Sequence, residues 1–299
     1  MSFSGKVKEE LEKHTNASRH CQIAELAAIY SFCGSGMKKN GKTETLLFET
    51  ENELAARKCF TLLKKTFNIY TNVCVQEQHL QKQGNAYRIL ISEPEAAERI
   101  LQAVNSPSVL QKACCRRAYI RGAFLSAGSI SNPERSYHFE IVCQSENQAA
   151  LLQKVFHTFE IEAKRIIRKK YEVVYIKEGS QIVEALNVME AHIALMEFEN
   201  LRILKEMRNS VNRRVNCETA NIGKTVSAAV KQIADIQAVM GTKEYQELPG
   251  GIREMAELRI QYPNATLKEL GELSSPPIGK SGVNHRLRKL SELADRKQR

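Results

Sequence analysis

ATLKELGELSSPPIGKSGVNHRLRKL, residues 265–290, reads as two short helices joined by a Pro/Gly turn. Thr266 is placed to cap the first helix, with Glu269 three residues on as its capping-box partner. Leu267, Leu270 and Leu273 supply an apolar stripe. Pro276 and Pro277 cannot continue the helix, Gly279 permits a tight bend, and Ser281 is the candidate cap of the second helix. In that second helix Val283, Leu287 and Leu290 recur at i, i+4 and i+7, which predicts a side facing the core. At about 100° per residue, Asn284, His285, Arg288 and Lys289 fall opposite, with Ser281 one turn earlier and Arg286 at the boundary. This is the layout of a helix-turn-helix, and it makes DNA the leading partner. Arg and Asn can bond guanine and adenine edges in pairs. Lys280, Arg286 and Lys289 suit phosphate, as does the helix N-terminus. His285 adds little by itself, and a solvated basic face is the plain alternative.

The surrounding composition agrees. The chain has 299 residues, 42% of them hydrophobic, which suits a globular protein of two domains. Its net charge of +10 favours nucleic acid or another anionic surface. Residues 201–299 carry about 18 basic against about 11 acidic side chains, roughly +7 of the excess. No apolar run approaches the ~18 residues of a membrane span, and the start, MSFSGKVKEELEKH, lacks a signal-peptide core. A cytoplasmic, nucleoid-associated protein with no membrane partner is expected. The eight cysteines show no C-x-x-C spacing, and Cys114 and Cys115 are adjacent. All eight are expected to be reduced thiols, most of them buried, with no metal and no cofactor.

Upstream, the chain repeats itself. AELAAIYSFCGS (24–35) matches AYIRGAFLSAGS (118–129), pairing Ala24 with Ala118, Ala28 with Gly122, and Gly34 with Gly128. Thr66, Phe67 and Ile69 correspond to Thr158, Phe159 and Ile161, and RILISEPEAAERIL (88–101) resembles VVYIKEGSQIVEAL (173–186). Three blocks in one order argue for a duplication. Each copy reads as a helix ending at Gly-Ser, a strand (TLLFET; SYHFEIVCQS), a helix (52–67; 146–159), two β-rich segments and a closing helix. Those segments are NIYTNVCVQEQ and AYRILIS, then EAKRIIRKK and YEVVYIKEG. The alternation of Ile166 with Arg168 and of Val173 with Tyr175 suits sheets with one wet face. Two α+β halves about a pseudo-twofold axis are therefore predicted. Residues 187–212 give a long helical pattern through Met189, Ile193, Met196, Leu204 and Met207. NRRVNCETANIGKT then has turn chemistry, and helices follow up to Gly241 and Pro263.

The ending KELGELSSPPIGKSGVNHRLRKL, with NRRVNCETANIGKT upstream, closely resembles the WhiA family of bacterial regulators. The resemblance runs over essentially the whole chain. It implies a fold that is α+β, a duplicated LAGLIDADG-like αββαββα domain followed by an all-α helix-turn-helix domain similar to sigma-factor region four. The domains implied are 1–200 (repeats at about 18–104 and 112–188), a linker at 201–224, and 225–299. LAAIYSFCG (26–34) and IRGAFLSAG (120–128) lie on the LAGLIDADG pattern, where small residues such as Ala28 and Gly122 let two helices approach. In the endonucleases the last acid of each motif holds the metal ions of phosphodiester cleavage. Here those positions are Cys33 and Ala127. Alanine binds no cation and cysteine is a poor ligand for magnesium.

The resemblance implies a non-enzymatic, promoter-binding transcription regulator with roles in cell division, chromosome segregation or sporulation. Lys280, Ser281, Asn284, His285, Arg286, Arg288 and Lys289 are its expected DNA contacts. Lys164, Arg165, Arg168, Lys169 and Lys170 form a further basic cluster that a solvated strand edge explains equally well. An active homing-type endonuclease is the second class, with Glu25 or Glu140 replacing the missing acids. A division-protein scaffold without direct DNA readout is the third; other division or transcription proteins are further expected partners. No Gly-rich phosphate loop, Ser/His/Asp arrangement or His/Cys metal cluster is visible in the sequence.

Overall fold

Phe3, Val7 and Leu11 recur at helical spacing and are all buried, so the N-terminus folds as α1 (Phe3–Lys13). The computed structural model describes residues 1–39, 42–70, 73–76 and 85–297. The chain forms two compact units, residues 1–206 and 207–299.

The first unit continues with α2 (Arg19–Cys33), β1 (Gly34–Lys39), β2 (Lys42–Thr50), α3 (Glu53–Phe67), β3 (Val73–Gln76), β4 (Ala86–Ile91) and α4 (Pro94–Val104). Its second half repeats that order as α5 (Ala113–Ala127), β5 (Gly128–Ile130), β6 (Phe139–Cys143), α6 (Glu146–His157), β7 (Lys164–Arg168), β8 (Tyr171–Ile176) and α7 (Gly179–Met189). Each half builds a four-stranded antiparallel sheet, ordered β1-β2-β4-β3 and β5-β6-β8-β7. The predicted pair of αββαββα halves is present. Residues 71, 72, 77 and 78 of the expected β-rich segment NIYTNVCVQEQ lie outside the described residues.

Period-two burial is seen in β4 and β6, but the alternation expected at Ile166, Arg168, Val173 and Tyr175 is not: β7 is exposed throughout, and Val173 and Val174 are both buried. Ile89 and Ile91 are buried while Leu90 between them is exposed; Phe139, Ile141 and Cys143 are all buried along β6. Helices α2 and α5 cross between the halves. A Cβ on Gly122 would lie 2.5 Å from the Glu25 carbonyl oxygen and 3.0 Å from the Ala28 Cβ, so only glycine permits this crossing. The halves also satisfy each other's helix ends. Asn52 donates to the Leu125 carbonyl at 2.9 Å, while Gln144 and Gln148 donate to those of Phe32 and Ser31 at 3.1 and 2.8 Å.

The next helix, α8, spans His192–Val239. Turn chemistry at 212–225 gave the opposite expectation. That stretch holds one Gly and no Pro, and its Asn and Thr residues cost only a few tenths of a kcal/mol each in a helix. Met189 falls in α7 instead, and Ile193, Met196, Leu204 and Met207 are exposed. The helical spacing is real, but that face is not the packed one.

The second unit then adds α9 (Lys243–Gln246), α10 (Gly250–Gln261), α11 (Leu267–Leu273) and α12 (Lys280–Lys297). Ile236, Val239, Ile252, Met255, Leu270, Val283, Leu287 and Leu290 form its core. Residues 298 and 299 lie outside the described residues.

Candidate nucleic-acid interface

Helix α11 starts at the expected capping box. The Thr266 N–H donates to Glu269 Oε2 at 2.7 Å, and the Glu269 N–H donates to Thr266 Oγ1 at 3.3 Å. The apolar stripe differs by one position. Leu270 is buried and Leu267 half-buried, but Leu273 is exposed and Gly271 takes the inner place. The cause is the turn. The Ile278 N–H donates to the Gly271 carbonyl at 2.9 Å, and a Cβ on Gly271 would sit 2.1 Å from the Ile278 carbonyl oxygen. The chain folds back over the helix at a position that only glycine can occupy.

Ser281 does not cap α12. The N–H groups of Gly282 and Val283 donate to the Gly279 carbonyl at 2.9 and 3.1 Å, so the helix begins at Lys280 and Ser281 lies in its first turn. Val283, Leu287 and Leu290 are buried at 0%, 1% and 0% exposure, each contributing on the order of 1.5–3 kcal/mol. Lys280, Ser281, Asn284, His285, Arg288 and Lys289 are exposed on the other side.

Arg286, expected among the DNA contacts, is half-buried. It donates to the Gly251 carbonyl at 3.0 Å and stands 3.8 Å from the Glu254 carboxylate. Glu254 in turn accepts the Ser275 N–H at 2.7 Å. These bonds tie α12, α10 and the turn together. At the boundary of the amphipathic face, the neighbouring helix claimed the guanidinium. Arg288 by contrast makes, among the described residues, only an exposed i, i+4 pair with Glu292 at 3.0 Å, which costs little to break.

Two lysines outside α12 join the basic face. A concavity of about 410 Å³ is lined by Lys224, Gln232, Arg259, Lys268, Lys280 and Asn284. Lys268 stands in the first turn of α11 and is exposed. Arg259 is buried and donates to the Pro263 and Ala265 carbonyls at 3.4 and 2.7 Å, fixing the approach to α11. Sequence reasoning centred on α12 passed over Lys224 and Lys268; a lysine two residues after the Thr266 cap was the available signal for the latter.

In the first unit, Cys33 and Ala127 end α2 and α5 and line a cleft of about 670 Å³ with Lys8, Glu49, Asn52 and Glu53. Burial pushes the Cys33 thiol up, against hydrogen bonds to Ser126 and Thr50. It also pushes the Lys8 ammonium down to about 8, against the nearby Cys33. Glu49 pairs with Arg88 at 2.9 Å and Glu53 with Arg57 at 2.5 Å. Among the described residues, no three Asp, Glu, His or Cys ligand atoms converge in this cleft.

The two carboxylates considered as replacements are committed to cations. Glu25 is fully buried. It accepts Arg121 Nε at 3.1 Å and Nη2 at 3.3 Å, with Lys58 Nζ at 3.3 Å. Glu140 meets His138 Nε2 at 2.9 Å and Arg168 Nη1 at 3.2 Å. The Glu25–Arg121–Lys58 group escaped sequence reasoning, although a lone carboxylate in the apolar stretch IAELAAI and a lone guanidinium in AYIRGAFL were its visible signal.

Comparison with known proteins covers the chain in three successive segments. A WhiA N-terminal LAGLIDADG-like domain matches residues 19–105, a WhiA LAGLIDADG-like domain residues 116–208, and a WhiA C-terminal HTH domain residues 211–294. The probable cell division protein WhiA of Lachnoclostridium phytofermentans is 52% identical over 309 residues, 99% of each chain. Its counterpart from Clostridium botulinum strain Hall is 46% identical over 310 residues, 99% of this chain and 98% of that one. The crystal structure of full-length DUF199/WhiA from Thermatoga maritima matches with a TM-score of 0.64 at 26% identity, covering 99% of both chains. No helix among the described residues is long and apolar enough to cross a membrane. With both LAGLIDADG-like halves and the helix-turn-helix matched in order, the chain belongs to the WhiA family.

Proposed function

We propose that this protein is a non-enzymatic transcription regulator that binds promoter DNA and acts in cell division, chromosome segregation or sporulation, on the nucleoid in the cytoplasm. The observation that carries the proposal is the two-sided character of α12: three aliphatics sealed inward, and Lys280, Ser281, Asn284, His285, Arg288 and Lys289 outward. Asn284 and Arg288 read base edges in the major groove. Lys268, Lys280 and Lys289 neutralise phosphates. Arg286 braces α12 from behind and contacts no base.

Binding to promoter fragments measured against salt tests this reading. Three phosphate contacts contribute about −2.7 to the log–log slope. Lys280→Ala removes about one unit of slope, and Arg288→Ala weakens specific binding by about 1–3 kcal/mol and relaxes sequence preference. An Arg288→Ala protein with unchanged preference would sink the assignment of α12 as the reading helix.

The absence of nuclease chemistry belongs to the same proposal. Cys33 and Ala127 offer no hard oxygen ligand, and the Lys8 ammonium occupies the cleft they line. Supercoiled plasmid should survive incubation with the protein and magnesium; cleavage abolished by Glu25→Ala would overturn this. A scaffold without DNA readout is separated by deleting residues 265–299, which leaves a scaffold active and a regulator inactive.

A further inference from the structure

His20 and Cys21 are the second and third residues of α2; Cys114 and Cys115 are the second and third of α5. The duplication that pairs Ala24 with Ala118 also pairs His20 with Cys114 and Cys21 with Cys115. The packing of α2 on α5 brings both dipeptides to one point. The His20 Nδ1, Cys21 Sγ, Cys114 Sγ and Cys115 Sγ positions suit a common centre, since one ligand atom from each of the four residues lies within 4.8 Å of every other. His20 Nδ1 is 3.2 Å from Cys115 Sγ and 3.3 Å from Cys21 Sγ.

We propose that these four residues form a Cys₃His zinc site that staples the two halves of the first unit at the N-terminal ends of α2 and α5. Tetrahedral zinc with thiolates at about 2.3 Å and imidazole at about 2.0–2.1 Å separates its ligand atoms by about 3.6–3.8 Å. The observed spacing needs only small rotamer adjustments to reach that. The donor set is soft, which selects zinc over magnesium or calcium. Cys21 and Cys115 are buried while His20 and Cys114 are exposed, so the ion has an inner seat and a path from solvent.

The chemistry balances without a redox step. A zinc ion displaces three thiol protons to solvent and leaves three thiolates and one neutral imidazole around it, a site of net charge −1. The first-turn N–H groups of two fifteen-residue helices favour that negative charge, and Lys112 beside Cys115 adds to it. Burial, then Cys114, pushes the Cys21 thiol up to about 12.

Ligand spacing in the sequence concealed the site. Each pair is adjacent, and adjacent residues on a helix point about 100° apart, so neither pair resembles a chelate. Only the pseudo-twofold axis makes them converge.

The test uses the full chain, purified under reducing conditions without a metal-affinity step. Mass spectrometry of the metal content is expected to give one zinc per chain that survives dialysis. Cobalt(II) exchange should produce the intense visible bands of tetrahedral coordination with a thiolate-to-metal charge-transfer band. Cys114→Ser, at an exposed position, should weaken that band and lower zinc retention at least tenfold. Cys217→Ser, exposed on α8, should change neither. Three results would overturn the proposal: no retained zinc after supplementation, a cobalt spectrum indifferent to Cys114→Ser, or a disulfide joining Cys21 to Cys114 or Cys115 in zinc-replete reduced protein.

Discussion

Arg121→Met tests how the two halves are locked together. The Arg121 and Glu25 side chains have no exposed surface. The guanidinium gives two bonds to Glu25, one of 2.5 Å to Glu190 and one of 3.3 Å to the Met189 carbonyl. Lys58, equally buried, pairs with Glu25 and donates to the carbonyls of Leu11 and Glu12 at 3.0 and 3.2 Å and to that of His14, closing the end of α1. Two cations thus balance two carboxylates. Removing Arg121 strips Glu25 of a bidentate partner in a site water cannot reach, and breaking a buried pair this way costs about 3–5 kcal/mol. For a unit of this size each kcal/mol is worth roughly 2–4 °C, so its calorimetric transition should fall by about 6–20 °C. Glu25→Gln in the same background neutralises the stranded charge, and the double variant should recover about 2 kcal/mol relative to the sum of the singles. A loss below about 1 kcal/mol, or additivity within about 0.5 kcal/mol, would refute the network. The outcome also bears on catalysis. A carboxylate kept for a metal ion would respond oppositely, since Glu25→Gln would relieve repulsion and stabilise the metal-free protein.

Other perturbations separate packing from recognition. Lys8→Met should stabilise the protein at pH 7 by about 1–3 kcal/mol. The folded pKa of Lys8 is about 8 against 10.5 unfolded, so the wild type alone should gain stability as pH rises from 8 towards 10.5; equal pH profiles would place Lys8 in solvent. Gly122→Ala should destabilise by about 1–3 kcal/mol or more, because its Cβ meets the Glu25 carbonyl at 2.5 Å. Gly223→Ala, in open space on α8, should instead gain up to about 1 kcal/mol, and thermal melts of both variants check the contrast. Arg286→Ala should cost the second unit about 1.5–3 kcal/mol while the salt slope of DNA binding stays put; a changed slope would return Arg286 to the phosphates.

Much of this fold was written in short-range pattern. The Thr266 capping box, the i, i+4, i+7 aliphatics of α12 and the period-two pattern of β6 depend on neighbours a few residues away, and such signals survive in a bare sequence. The duplication was equally legible, because sterics at Ala28 and Gly122 act through residue size. What stayed hidden depends on distant partners. Nothing local says that Arg286 will turn to Gly251 rather than outward, that Leu273 will be lifted away by the fold-back at Gly271, or that residues 212–225 will remain helical. The His20, Cys21, Cys114 and Cys115 convergence is the extreme case, since it needs the pseudo-symmetry and the helix crossing together.

The helix pair α2 and α5 can be regarded as one device with three levels along its length. At fifteen residues each, the helices run about 22 Å. Midway, Gly122 and the Glu25–Arg121–Lys58 group set the crossing by contact and charge. At the starting end, the proposed zinc would hold the halves at fixed separation. At the far end, where the LAGLIDADG-like fold would place hard cations, stand Cys33, Ala127 and the ammonium of Lys8. An ammonium has the sign of a metal ion but not its chemistry. It has no vacant coordination position in which to activate water. The crossing itself rests on steric fit and a buried ion network, with the proposed zinc at the starting end.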